Sequence, residues 1–218
     1  MEMNRDMDKE NSVYKSGTQN GHDYVDLGLP SGTKWATCNV GASKPWEYGG
    51  YYAWGETEPK ENYGWSAYKY SSEDDAAHAN WGGKWRMPTR AQQEELLKEC
   101  YWEWTKDYNG SGVAGFIVYK AKAEADKGVI YKDETPSSSY SLGDAHIFLP
   151  AAGDGFSGDL DDAGSYGYYW SSSLFSDCPD FAWCVKFNSD YVYGRGDLRC
   201  YGQSVRAVCP ASESPMLA

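Results

Sequence analysis

The chain has no long hydrophobic run. Its apolar stretches are a few residues each, far short of the ~20 that a membrane-spanning helix needs. Basic residues are in deficit, with 20 Lys and Arg against 32 Asp and Glu and a formal charge of −12. That balance argues against nucleic-acid or anionic-membrane partners, because phosphate recognition runs on Lys and Arg. Histidine is scarce as well: His22, His78 and His146 stand alone, with no H-E-x-x-H or H-x-H pairing. His146 lies among strand residues with nothing in sequence to orient it as a base, and reads as a structural histidine. There is no G-x-S-x-G elbow, no P-loop and no dinucleotide glycine motif. The six cysteines form no C-x-x-C pair, which removes zinc-site and thioredoxin-like chemistry. They read as thiols packed in the core, with room for one bridge. Residues 1–11 are acidic and polar and lack the apolar core of a secretory signal. The expectation is a non-enzyme with no cofactor, no metal, no nucleic-acid partner and no membrane insertion.

Aromatics and glycine are what the chain has in quantity: ten Trp, 19 Tyr and 6 Phe beside 24 Gly. This mixture suits short strands joined by turns, and ligand-facing surfaces where rigid rings give contact area at low entropic cost. Disordered chains have few aromatics, so disorder is excluded for the bulk of it. Composition suggests a flexible arm over 1–20, one domain over 21–210 and a flexible tail over 211–218. Residues 23–29 alternate and stop at Pro30-Ser31-Gly32, and residues 33–40 alternate again, which reads as strand, turn, strand. A short aromatic strand or buried loop follows over 51–55. Thr89 and Gln92 have the spacing of a capping box, so a helix follows Pro88, with Leu96, Leu97 and Cys100 on one face. A weaker helical signal lies within 73–80. Later strand candidates are 116–119, 145–150, 168–172, 181–187 and 204–208. The class implied is α+β, helix-poor, with short strands and long loops.

The last quarter differs in kind. Residues 166–209 hold 11 of the aromatics, and four Asp there are balanced by Lys186, Arg195, Arg199 and Arg206. A neutral, aromatic segment with interspersed Ser, Asp, Asn and Arg has the composition of a paratope. Residues 168–172, 182–187 and 205–208 read as framework strands, while 173–181 and 190–201 show no clean period and read as exposed loops. The candidate ligand-binding residues are therefore Phe175, Ser176, Asp177, Cys178, Asp180, Phe181 and Trp183, then Asp190, Tyr191, Tyr193, Arg195, Asp197, Leu198, Arg199, Cys200 and Tyr201. Rings would supply stacking area, and Asp and Arg would supply orientation and charge selectivity. A second acidic stretch carries Asp154, Asp159, Asp161 and Asp162 in a Gly-rich loop. It reads either as a calcium loop of irregular spacing or as a solvated acidic loop.

Residues 21–42 (GHDYVDLGLPSGTKWATCNVGA), 52–57 (YAWGET), 81–89 (WGGKWRMPT), 147–153 (IFLPAAG), 169–173 (YWSSS) and 204–208 (SVRAV) resemble, in this order, a large paralogous family from gut Bacteroidetes and Fibrobacter. The family is similar to the C-type lectin fold in the branch of formylglycine-generating enzyme, whose helix entry Arg86-Met87-Pro88-Thr89 echoes. Many members resemble targets of diversity-generating retroelements, which rewrite a C-terminal segment by miscopying template adenines. The resemblance implies a rigid scaffold displaying a variable surface over about 166–209. It also implies a protein or glycan ligand on another cell or phage, and a place at the cell surface, in secretion or on a virion. Randomising the adenines of an Asn codon yields no Lys, Glu, Gln, Met or Trp. Residues 174–181 and 190–201 all lie within the permitted set, whereas Trp183 and Gln203 do not. The Glu-Pro-Asn and Trp-Asn-Asp calcium signatures of sugar-binding C-type lectins are absent, and the enzyme's catalytic cysteines have no counterpart. The alternative is a fixed surface adhesin or carbohydrate-binding module of the same fold. A redox enzyme working through Cys178, Cys184 or Cys200 is a third reading, which would require bound metal and thiol-dependent turnover.

Overall fold

Residues 13–69, 74–130 and 134–210 are described in the computed structural model. Near its start, β1 (Gly17–Gln19) and β2 (His22–Val25) form a hairpin around Asn20 and Gly21, at φ 46° and 82°. Two successive positive φ values are what a two-residue hairpin turn needs, and Asn-Gly supplies them cheaply. Ordered structure thus begins inside the stretch expected to be an arm. Residues 1–12 and the expected tail lie outside the described residues. β2 continues to β3 (Lys34–Ala36), and β3 pairs with β12 (Val208–Cys209), so one four-stranded sheet joins both ends of the described chain.

α1 (Ala76–Trp81) is capped by Asp75, whose carboxylate accepts from His78 N at 2.9 Å and from Met87 N at 2.8 Å. α2 (Arg90–Glu99) opens with the expected capping box: Thr89 Oγ1 accepts from Gln92 N at 3.2 Å, and Gln92 Oε1 accepts from Thr89 N at 2.9 Å. Leu96 is buried, whereas Cys100 has already left the helix and starts β4 (Cys100–Thr105), a strand the helical reading passed over. β4, β5 (Gly115–Lys120) and β6 (His146–Pro150) form an antiparallel sheet, and Trp102, Phe116, Val118, Ile147 and Leu149 from it enter the main core beside Leu96 and Trp35. The hairpin of β7 (Asp154–Phe156) and β8 (Asp159–Asp161) occupies the acidic stretch expected to be a loop. β9 (Gly167–Leu174), β10 (Phe181–Asn188) and β11 (Tyr191–Leu198) complete the fold as a three-stranded sheet in the order β11-β10-β9. The protein is a helix-poor α+β structure of several small antiparallel sheets.

The segment 202–209 runs through the middle of the molecule. Gly202 N donates to Gly155 O, Gln203 N to Tyr52 O, Ser204 N to Tyr168 O and Val208 N to Arg86 O, while Val205 O and Ala207 O accept from Val40 N and Ala36 N. Within it only Val208–Cys209 counts as a strand: of the expected strand over 204–208, Ser204 makes a single bridge to Tyr169, and 205–207 lie in no ladder although Val205 O and Ala207 O are hydrogen-bonded. Arg206, 1% exposed, anchors it, donating to Asn39 Oδ1 (2.9 Å) and to the carbonyls of Ala36 (3.1 Å), Thr37 (3.2 Å) and Phe148 (2.7 Å). All six cysteines are free thiols, four of them buried.

Candidate ligand-binding surface

At the β10–β11 hairpin, Asn188 Oδ1 accepts from Asp190 N (2.8 Å) and Tyr191 N (3.1 Å), closing the turn as an Asx motif. From there β11 pairs with β10 residue for residue, Asn188 opposite Tyr191 through Phe181 opposite Leu198. The stretch 190–201, read above as an exposed loop, is therefore mostly a regular strand. Gly194 and Gly196 break its hydrophobic alternation in the sequence, and its partner strand supplies the order.

Alternation along a strand then sorts the candidate residues onto two faces. Phe181, Trp183, Val185 and Phe187 share a face with Leu198, Gly196, Gly194 and Val192, and this face meets α2. Val185, Phe187 and Val192 are buried in the core beside Leu96. Farther along, Trp183 is half-buried with the Arg90 guanidinium 3.6 Å over its ring and the Phe175 ring 4.7 Å away. Phe175 also covers Gly196, where a Cβ would lie 2.6 Å from Phe175 Cδ2. A cleft of about 170 Å3 opens beside this stack, lined by Leu97, Glu94, Val185 and Gly194 among others.

The opposite face carries Tyr191, Tyr193, Arg195 and Asp197, facing Asn188, Lys186, Cys184 and Ala182 across the ladder. Tyr191 and Tyr193 lie 5.3 Å apart, and Tyr193 is 42% exposed. Lys186 Nζ sits 4.8 and 4.9 Å over the rings of Tyr166 and Tyr168, neither of which was a candidate from the sequence. Of the expected loop over 173–181, residues 173–174 end β9 and Phe181 opens β10; the turn over 175–180 between them presents Ser176 and Asp177 to solvent and leaves Cys178 and Asp180 half-buried. Asp190 is exposed at the hairpin, and Tyr201 is half-buried against Phe156 at 4.8 Å. The sixteen candidates do not converge on one surface.

Three of them are not surface groups at all. Asp197 is 5% exposed, accepting from Leu198 N and Gln203 Nε2 at 3.0 Å each. Arg199 is 3% exposed, its guanidinium 4.4 Å from the Trp54 ring and 5.6 Å from that of Tyr68, with Nη1 donating to Pro179 O. Cys200 is 1% exposed, and burial, reinforced by Asp197 and Asp180, pushes its thiol up to about 11. These side chains brace the strand end. The permitted codon set could not reveal this, because it is blind to which way a side chain points. Trp183 and Gln203 lie outside that set; Gln203 is fully buried and Trp183 is fixed under Arg90.

Asp154 is 8% exposed, and burial pushes its carboxyl up to about 7, with Asp197, Asp162 and Asp161 adding to the shift and Lys186 opposing it. Tyr168 donates its hydroxyl to Asp162 Oδ2 at 3.1 Å. Among the described residues no three His, Cys, Asp or Glu side chains are grouped so as to hold a metal ion. His146 is structural, as its sequence context suggests: it is 2% exposed, its Nδ1–H donates to Asp144 O, and Nε2 accepts from the Tyr108 hydroxyl, both at 2.8 Å. Among the described residues no helix is long and apolar enough to cross a membrane. No protein-family model, curated protein or solved structure matches this chain.

Proposed function

We propose that this chain is a non-catalytic binding protein of receptor or adhesin type, built on a C-type lectin scaffold, whose C-terminal sheet displays a surface rewritten by a diversity-generating retroelement. Its ligand is a protein or glycan on another cell or phage, met at a cell surface, in secretion or on a virion. One observation carries the reading. The half-exposed rings of Phe175, Phe181 and Tyr191 and the exposed ring of Tyr193 stand on the two faces of a sheet whose Val185, Phe187 and Val192 are locked into the core. Rigid aromatics on a fixed frame give contact area without a large ordering cost.

The test is to sequence the DNA flanking the gene. A near-copy of the segment encoding 166–209, differing only at adenines and lying beside a reverse transcriptase, is the expected result. The differences should fall at exposed or half-exposed positions such as Phe175, Tyr191 and Tyr193 and spare Phe187 and Val185. Finding no copy would overturn diversification and shift the reading to a fixed adhesin or carbohydrate-binding module of the same fold.

A further inference from the structure

Among the described residues β11 pairs with β10 alone, so it forms one edge of the C-terminal sheet. In an edge strand every second residue turns its N–H and C=O outward, away from the ladder. No backbone hydrogen bond joins 191–197 to any element but β10 among the described residues. Gly196 O accepts from Arg195 Nε at 3.2 Å, which leaves the stretch around Gly194 open. Gly194 is exposed, its φ lies outside the left-handed region, and a Cβ there would meet no atom within 4 Å. Neither crowding nor backbone conformation calls for glycine at this position. Its effect is to leave the cleft beside α2 open toward the strand edge, since Gly194 faces Val185 across the ladder and both line that cleft.

The helix contributes Arg90, Gln93, Glu94 and Leu97 to the lining, the i, i+3, i+4, i+7 stripe of one face. Drug-sized pockets begin at about 300 Å3, so a cleft of about 170 Å3 suits a single side chain. Leu97 and Val185 make it apolar in part, and Gln93 is spent on the carbonyls of Tyr169 and Trp170, at 2.9 and 3.2 Å. Arg90 is different. Its guanidinium is held 3.6 Å over Trp183 and its Nε donates to Glu94 Oε1 at 2.7 Å, yet among the described residues neither Nη atom has an acceptor. A guanidinium fixed in this way, with two nitrogens uncommitted, is ready to grip a carboxylate through parallel N–H···O bonds. We propose that an extended segment of a protein ligand pairs with the free edge of β11 and passes an acidic side chain over Gly194 to the Arg90 guanidinium. The inference rests on the binding-protein reading and narrows its ligand to a protein, because an open strand edge is matched by main-chain N–H and C=O groups at strand spacing. It adds two residues that the sequence did not single out as ligand-binding, Arg90 and Gly194.

The probe is the blocked peptide acetyl-Thr-Val-Glu-Val-Thr-amide, titrated against the full chain by NMR. Its controls are the same peptide with Gln at the centre and methyl glucuronide, a sugar that carries a carboxylate. The Glu peptide should shift the amide resonances of Val192 and Gly194 and the side-chain resonances of Arg90, and should bind at least about fivefold tighter than the Gln peptide. Gly194→Val closes the way into the cleft with a residue suited to a strand, so it should keep the melting temperature and abolish peptide binding. Arg90→Gln is an independent readout, in which the two peptides should bind equally. No shift with either peptide, equal binding of the two by the unaltered chain, undiminished binding by Gly194→Val, or a response to methyl glucuronide alone would overturn the proposal. Such a failure is separable from failure of the binding-protein reading, which rests on the flanking DNA.

Discussion

Arg206 is buried, and all four of its hydrogen bonds end on uncharged oxygens, three of them backbone carbonyls from two distant parts of the chain. A planar guanidinium reaches several acceptors at once; an ammonium is a single point. Arg206→Lys should therefore fail to restore what Arg206→Met loses. Either change should lower unfolding stability by about 3 kcal/mol or more, because each abandoned buried acceptor costs ~1–3 kcal/mol before relaxation; urea midpoints of both variants check it. Asp154 acts in the opposite sense. Its carboxyl is raised from the ordinary value to about 7 in the fold, mainly by burial, so the folded chain holds a proton that the unfolded chain has released. Stability from this group is complete below about pH 4 and is withdrawn as pH climbs through about 7. Asp154→Asn should flatten the fall in melting temperature between pH 5 and 8; an unchanged slope would assign the titration elsewhere. Tyr193→Ala should leave the melting temperature within a degree or two, whereas Arg199→Ala should lower it clearly, since its guanidinium is packed between Trp54 and Tyr68. The aromatic and charged composition of 190–201 was legible in the sequence, but exposure was not, because burial of Arg199 depends on rings more than 100 positions away.

Elements divide by how local their causes are. α2 was readable because Thr89 and Gln92 cap it within four residues, and Thr89→Ala should cost about 1 kcal/mol in urea unfolding. β4 was not, since Cys100 continues the helical spacing of Leu96 and only pairing with β5 draws 100–105 straight. β11 has the same character: a strand with two glycines holds its course because β10 lies beside it. β9 shows how tightly such a strand is fitted. A Cβ at Gly167 would lie 2.1 Å from Phe187 Cζ, and Phe187 is wholly buried. Gly167→Ala should destabilise by about 1–3 kcal/mol through overpacking, with the largest chemical-shift changes around Phe187, Phe116 and Trp104.

At the scale of the whole molecule, composition specified the class well: abundant aromatics and glycine, few helical signals and no apolar span give a turn-rich α+β protein. It could not specify connectivity. Single bridges such as Tyr52 to Gln203 and Gly155 to Gly202 carry no local signature, yet they decide that Asp154 and Gln203 are neighbours. The path of 202–209 through the centre also bears on synthesis. A chain emerging from the ribosome with its first 201 residues complete still lacks the segment that bonds to Ala36, Val40, Tyr52, Arg86 and Tyr168. Its N-terminal sheet has one edge open and its central carbonyls lack Arg206. A product cut short within 166–201 forgoes these bonds and should fail to reach the native fold, which its proteolytic susceptibility checks. The segment 202–209 thus works as an inspection step: a shifted frame or a stop codon anywhere upstream yields a chain that lacks these closing bonds.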